Sequence, residues 1–234
     1  MQPVFLFRSE PGLSKTLEKL AATGLEVHGC ALFEAEPVDW TVPDPSAFDG
    51  LLIGSANAFR HSGEELSALS SLPVLAVGEA TAMAARDSGF VVEQTGTAGL
   101  QQLLDTLAVR HHALLRLAGD VRVDVSPPSG VRVETKVVYR MQPLPMAERI
   151  ADRMRADGGI VLLHSGEAAR RFGTECDRLG IERSRLTIAA LSARIAASVG
   201  EGWRSVHTAD HPSDAELLAL AQRLCQGSSP GSHH

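Results

Sequence analysis

Aromatic residues make up only 4% of this chain, and Tyr139 is its single tyrosine. So few rings argue against a base-stacking surface. With 22 Lys and Arg against 28 Asp and Glu, the net charge is -6 and no basic stripe is left to bind nucleic acid. Cys30, Cys176 and Cys225 are odd in number and far apart. They form neither a CxxC pair nor a disulfide framework and read as reduced, buried thiols. No apolar run approaches the ~18 residues of a membrane span. The run Val4 to Phe7 stops at Arg8, too short for a signal-peptide core, so a cytoplasmic location is expected. GxGxxG and GxxxxGK[ST] are both missing, and Ser55 lies in G-S-A-N-A rather than G-x-S-x-G. His28, His61, His111, His112, His164, His207 and His211 show no metal-ligand spacing to cysteines or carboxylates. No metal or cofactor is therefore expected. The Gly/Ser-rich end, residues 227–234, is expected to be disordered, and its closing His233-His234 pair is left out of any metal argument.

What is present is an alternation. Short apolar runs give way to helical spacing again and again: Val4 to Phe7 is followed by Leu13, Leu17 and Leu20, with Gly24 as a stop. An extended stretch lies around 27–33. A buried-type strand at 51–53 precedes a helix from about 56, and a strand at 74–77 precedes a helix ending near Gly89. Helix 98–108, strand 114–117 and an extended 131–140 follow. The scheme then repeats as helix 145–156, strand 160–164, helix 167–179, strand 187–191, helix 193–199, strand 204–208 and helix 213–225. Such alternation implies parallel sheets with helices on both faces, an α/β class.

The chain also repeats itself. GLLIGSANAF (50–59) resembles IVLLHSGEAARRF (160–172), VLAVGEATA (74–82) resembles IAALSARIA (188–196), and TAGLQQLLDTL (97–107) resembles HPSDAELLALAQRL (211–224). FLFR (5–8) resembles LLRL (114–117) through an arginine, out of order with the other blocks. Two similar open-sheet lobes of flavodoxin-like type follow: residues 1–35 with 141–226 form a discontinuous lobe, and 37–133 a lobe inserted into it. Two extended crossings near 30–37 and 133–141 would pair as a two-stranded ladder and act as a hinge.

Ligands of open parallel sheets sit beyond the carboxyl ends of the strands. The residues there are Arg8, Gly54, Ser55, Ala56, Asn57, Gly78, Thr81, Arg116, Gly119, Ser165, Gly166 and Ser192. Most are small, at junctions where the first helical amides are free and the helix dipole favours an anion. Ser and Asn at such places also serve simply as helix caps. Matched serines in two lobes facing one cleft favour binding. His164 at a strand end is a further candidate for the cleft. Tyr139, closing the run Val137-Val138-Tyr139-Arg140, is either a packing residue or a hydroxyl that gives or takes a proton.

Arg8 after the first strand, LLIGSANAF (51–59), PVLAVGEATA (73–82), LLRLAGD (114–120), VVYR (137–140), LLHSGEAARRF (162–172) and PSDAELL (212–218) together resemble the uroporphyrinogen-III synthase family, over nearly the whole chain. The resemblance implies two α/β lobes, one discontinuous, joined by a two-stranded ladder. It implies a cofactor-free, metal-free cyclising hydro-lyase of tetrapyrrole biosynthesis that closes hydroxymethylbilane and inverts its last ring. It makes Tyr139 the leading catalytic candidate and the junction residues the substrate contacts. A monomer is expected, with no nucleic-acid or membrane partner. Two departures stand out: Ser192 and Ile195 replace the Gly and Thr usual in the second lobe, and DVRVDVSPPSG (120–130) is short and Pro-rich where a helix is common. A two-lobed small-anion binding module of the same fold is the alternative, and a cofactor-dependent transferase the third reading.

Overall fold

The computed structural model describes residues 2–107 and 111–227. In chain order its elements are β1 (Val4–Phe7), α1 (Gly12–Ala21), β2 (Val27–Cys30), β3 (Phe33–Pro37), β4 (Gly50–Ile53), α2 (Asn57–His61), β5 (Val74–Val77), α3 (Glu79–Asp87), β6 (Val92–Gly96), α4 (Leu100–Asp105), β7 (Ala113–Gly119), β8 (Arg132–Pro143), α5 (Glu148–Asp157), β9 (Gly159–Leu163), α6 (Gly166–Leu179), β10 (Leu186–Ala190), α7 (Ala193–Ala196), β11 (Ser205–Thr208) and α8 (Asp214–Gly227). The chain divides into two compact units, Met1–Glu34 with Pro143–His234, and Ala35–Gln142. The tail expected to be disordered begins inside α8 at Gly227, and its remainder lies outside the described residues, as does the end of the helix expected at 98–108.

The first unit holds a five-stranded sheet in the order β2-β1-β9-β10-β11, parallel throughout. This is the doubly wound 2-1-3-4-5 order. Its central strands β1, β9 and β10 are buried on both faces, as a sheet covered by helices on both sides requires, while the edge strands β2 and β11 are only partly so. Successive residues point to opposite sides. Phe5, Phe7, Val161 and Leu163 therefore meet Ile150, Met154 and Phe172, while Val4, Leu6, Ile160 and Leu162 meet Leu13, Leu20, Leu217 and Leu220. Phe172 is completely buried and stacks near Phe7 and Trp203. Truncating it to alanine is expected to cost roughly 3–5 kcal/mol.

The second unit holds a six-stranded sheet in the order β3-β8-β7-β4-β5-β6. From β8 to β6 it is parallel. β3 runs against β8, since Leu144 N donates to Leu32 O and Val38 N to Val138 O. β6 was not foreseen in the sequence: VEQTG is half-buried, polar and at the sheet edge, so it has no apolar run to announce it.

Register makes the repeat explicit. β9 pairs β1 with Ile160 beside Val4 and Leu163 beside Phe7, and β4 pairs β7 with Gly50 beside Leu114 and Ile53 beside Leu117. β1 and β2 thus correspond to β7 and β8, and β9, β10 and β11 to β4, β5 and β6. The two units share one topology, cut at different points. The correspondence also corrects the expected arginine match. Phe7 answers to Leu117, so Arg8 answers to Ala118, and Arg116 lies within β7 at the place of the buried core residue Leu6.

The units differ in one cover. In the first, α1 joins β1 to β2 and α8 lies beside it on the same face. In the second, β7 passes to β8 through residues 120–131 with no helix. The face that carries Leu52, Leu75 and Leu114 is left to α4 and this irregular segment.

Candidate functional site

That thin cover leaves a cavity of about 150 Å³ in the second unit, lined among others by Gly54, Ser55, Leu100, Arg116, Arg122 and Tyr139. Alternation along β7 turns Leu115 and Leu117 into the opposite core and Arg116 toward α4. Its guanidinium is almost wholly buried and among the described residues makes one hydrogen bond, from Nη2 to Val123 O at 2.9 Å, with no partner there for Nε. Burial and the neighbouring Arg122 hold its pKa below the usual arginine value, and Asp124 and Tyr139 act in the other direction. Arg122 sits over the same cavity, donating to Asp120 O at 3.0 Å.

A bulge between Ala118 and Gly119 slips the register so that Gly119 stands beside Tyr139 of β8. The tyrosine ring then lies directly on Gly119: a Cβ there would be 2.8 Å from Cε2 and Cζ and 3.1 Å from Oη. Tyr139 is 8% exposed, and its hydroxyl forms no hydrogen bond among the described residues. The ring is therefore packed while its polar end is unspent. His61 tilts toward it at 6.2 Å between centroids, and burial and Arg60 lower the pKa of that histidine.

Ser55 accepts the Asn57 amide at 3.3 Å, and Ala56, which is buried, is the N-cap residue of α2. Asn57 spends its side-chain oxygen on Arg60. Gly78 precedes α3 with φ 79° and nothing near a would-be Cβ, so backbone conformation rather than space calls for glycine there. Thr81 is buried in α3. Of the residues chosen from sequence, the structure brings Gly54, Ser55, Arg116, Gly119 and Tyr139 to one cavity. It sets Ala56, Asn57, Gly78 and Thr81 at the neighbouring strand–helix junctions of the same sheet.

In the first unit Ser165 caps α6, accepting the Ala168 amide at 3.1 Å, with Gly166 half-buried behind it. Ser192 heads α7 without a side-chain capping bond, and Ile195 is buried in the core, so no hydroxyl stands at that place. Arg8 is engaged by a residue that sequence reasoning passed over: Nη1 donates to both oxygens of Asp214, at 2.9 and 3.0 Å, and to Thr16. His164 Nε2 lies 3.4 Å from Asp214 Oδ1, outside hydrogen-bond geometry, and Nδ1 has no partner. Burial, aided by Arg8, pushes the His164 pKa down to about 4. For Asp214, burial pushes upward, but Arg8, His164 and Lys19 outweigh it and the carboxyl stays below its usual range. Asp214 had been visible only as the D of PSDAELL, with no signal of its own.

Among the described residues no group of three or more His, Cys, Asp or Glu is arranged to hold a metal ion, and no helix is long and apolar enough to cross a membrane.

Two α/β units of one topology carry arginines, small residues and hydroxyls at the carboxyl edges of their sheets. The family model described as uroporphyrinogen-III synthase HemD matches residues 14–219. The chain belongs to that family, and membership implies uroporphyrinogen-III synthase activity on a tetrapyrrole substrate. None of the curated proteins matches significantly. Among solved structures the chain is similar to uroporphyrinogen-III synthetase from Helicobacter pylori, at 18% identity and TM-score 0.66, covering 96% of this chain and 100% of that one. It is also similar to a mutant uroporphyrinogen III synthase from the extremely thermophilic bacterium Thermus thermophilus, at 14% identity and TM-score 0.52, covering 95% and 99%. At these identities the likeness shows the fold.

Proposed function

We propose that the chain cyclises hydroxymethylbilane to uroporphyrinogen III, inverting the terminal ring and releasing water. The observation that carries this reading is the cavity of the second unit, where a free tyrosine hydroxyl stands with a buried arginine in a chain of this family. The substrate bears eight carboxylates. Arg116, Arg122 and the first amides of the strand–helix junctions receive them at the carboxyl edges of the sheets. Tyr139 Oη lends a proton to the leaving hydroxyl, which departs as water and leaves an azafulvene. Attack by the substituted carbon of the last pyrrole gives a spiro intermediate, which reopens and closes with that ring inverted. The ring carbon that closes sheds a proton, balancing the one lent.

The azafulvene also closes unaided, to the uninverted isomer, so holding the chain in the inverting geometry is the enzyme's main task. No step moves electrons, and the reading assigns no metal or cofactor. It takes the chain to act as a monomer in the cytoplasm.

One observation favours the competing reading, a small-anion binding module without catalysis: Ile195 is buried where the family places a threonine. Incubation with hydroxymethylbilane, followed by oxidation and isomer separation, decides between them. The expected product is type III. Type I alone, at the rate of a protein-free blank, would refute catalysis.

A further inference from the structure

Arg116 occupies the strand place at which the other unit carries Leu6, sealed under α1 and α8. The second unit has α4 on that face but no counterpart of α1, and the cation borders the cavity. A planar fork of five donors spends one bond on Val123 O, its Nε is buried and unpaired, and no carboxylate stands within ion-pair distance of it among the described residues. Buried polar groups are nearly always satisfied, so an orphaned guanidinium nitrogen beside a cavity points to a partner from outside the chain. The cavity is about 150 Å³. That is room for one acid arm and not for a pyrrole chain. Arg122 closes the rim with the same charge, and the missing Cβ of Gly54 and Gly119 lets Leu100 and the Tyr139 ring lie against the wall.

We propose that this cavity seats a single carboxylate arm, acetate or propionate, held by the Arg116 guanidinium and by Arg122, and that Tyr139 is thereby aligned on the ring bearing that arm. The owner of the arm rests on the tetrapyrrole reading above; the seat itself does not. Arg116 Nε–H is a reporter that activity does not supply. Its ¹H–¹⁵N resonance is assigned by its disappearance in Arg116→Lys. The protein is then titrated with monopyrroles carrying a single acetate arm, a single propionate arm, or their methyl esters. We expect one or both acids to shift the signal and the esters to leave it. Arg116→Gln should weaken binding of the acid about tenfold or more, since charge-assisted bonds are lost. Arg122→Gln, on the exposed rim, guards against a variant that merely fails to fold; it should weaken binding while the reporter signal remains. Acids and esters acting alike, or acids leaving the signal unmoved, would overturn the seat. If the wild type still made type III product in that case, the function would survive without it. A shift without conversion would keep the seat and remove the function.

Discussion

Replacing Gly119 by alanine tests whether the position of the Tyr139 hydroxyl matters. The added methyl would lie 2.8 Å from two ring carbons and 3.1 Å from Oη. Carbon pairs settle near ~3.6 Å, so the ring must retreat by roughly 0.8 Å. It cannot take the strand with it, because Tyr139 O accepts the Asp120 amide at 3.0 Å and the chain is paired on both sides. Overpacking of this kind costs about 1–3 kcal/mol. For the reaction, misplacement of ~1 Å is worth up to about 10²-fold in rate. Urea unfolding and single-turnover cyclisation of hydroxymethylbilane measure the two effects. The same change in a Tyr139→Phe background separates them. Phenylalanine keeps the clashing carbons, so the stability loss should persist, whereas the rate loss should largely vanish because there is no hydroxyl left to misplace. A Gly119→Ala protein that is destabilised yet cyclises at full rate would show that Tyr139 serves packing alone.

Three further expectations follow from the same geometry. Tyr139→Phe loses no hydrogen bond, so its stability should stay within ~0.5 kcal/mol of wild type, while type III formation slows by part of a general-acid factor of ~10²–10⁴ without being abolished; an unchanged single-turnover rate would refute the hydroxyl's role. Ser165→Ala removes a real cap and should cost ~1 kcal/mol in denaturant unfolding, whereas Ser192→Ala removes none and should cost far less; equal losses would contradict the assignment of Ser192 as a hydroxyl free for ligand. His164 has a folded pKa of about 4 against 6.5 unfolded, so its share of stability is complete above pH 6.5 and drains as the pH falls toward 4, by roughly 3 kcal/mol in all. Asp214, also held low, adds its own loss in acid. In His164→Gln the fall between pH 6.5 and 4 should flatten, and identical slopes would refute the cause.

How much of this was legible in the sequence depends on what each residue touches. Parallel strands buried on both faces are short apolar runs, so β1, β4, β5, β9 and β10 could be read directly, and the near-constant spacing of their counterparts gave away the doubled fold. The edge strand β6 is half-buried and polar and carried no such mark. Ser55, Arg116, Gly119 and Tyr139 were all chosen, but for different reasons: a junction, a strand end, a glycine, a lone tyrosine. Nothing in the sequence said that they line one cavity, because the bulge at Gly119 that brings Tyr139 beside it is a matter of register. Asp214 is 206 residues from Arg8, and a pairing at that distance leaves no local pattern.

Arg116 shows where pattern reading goes astray and why the structure gains from it. An arginine near the end of an apolar run reads as the strand's exit, and LLRL therefore seemed to match FLFR. Register moves the arginine match by two residues and turns Arg116 from an exit residue into an inward-facing one, at the place of Leu6. A leucine there needs a helix above it, and in the first unit α1 and α8 provide that cover. An arginine there is tolerable only where the cover is incomplete, and in the second unit the segment from Asp120 to Val131 forms no helix. The Pro-rich loop and the buried cation are thus one feature: each would be a fault without the other, since a helix would seal an unpaired charge and a leucine would leave a bare apolar hollow. It follows that grafting a helix over residues 120–131 should be tolerated only together with Arg116→Leu, and that the doubly changed protein should gain stability and lose the carboxylate seat proposed above.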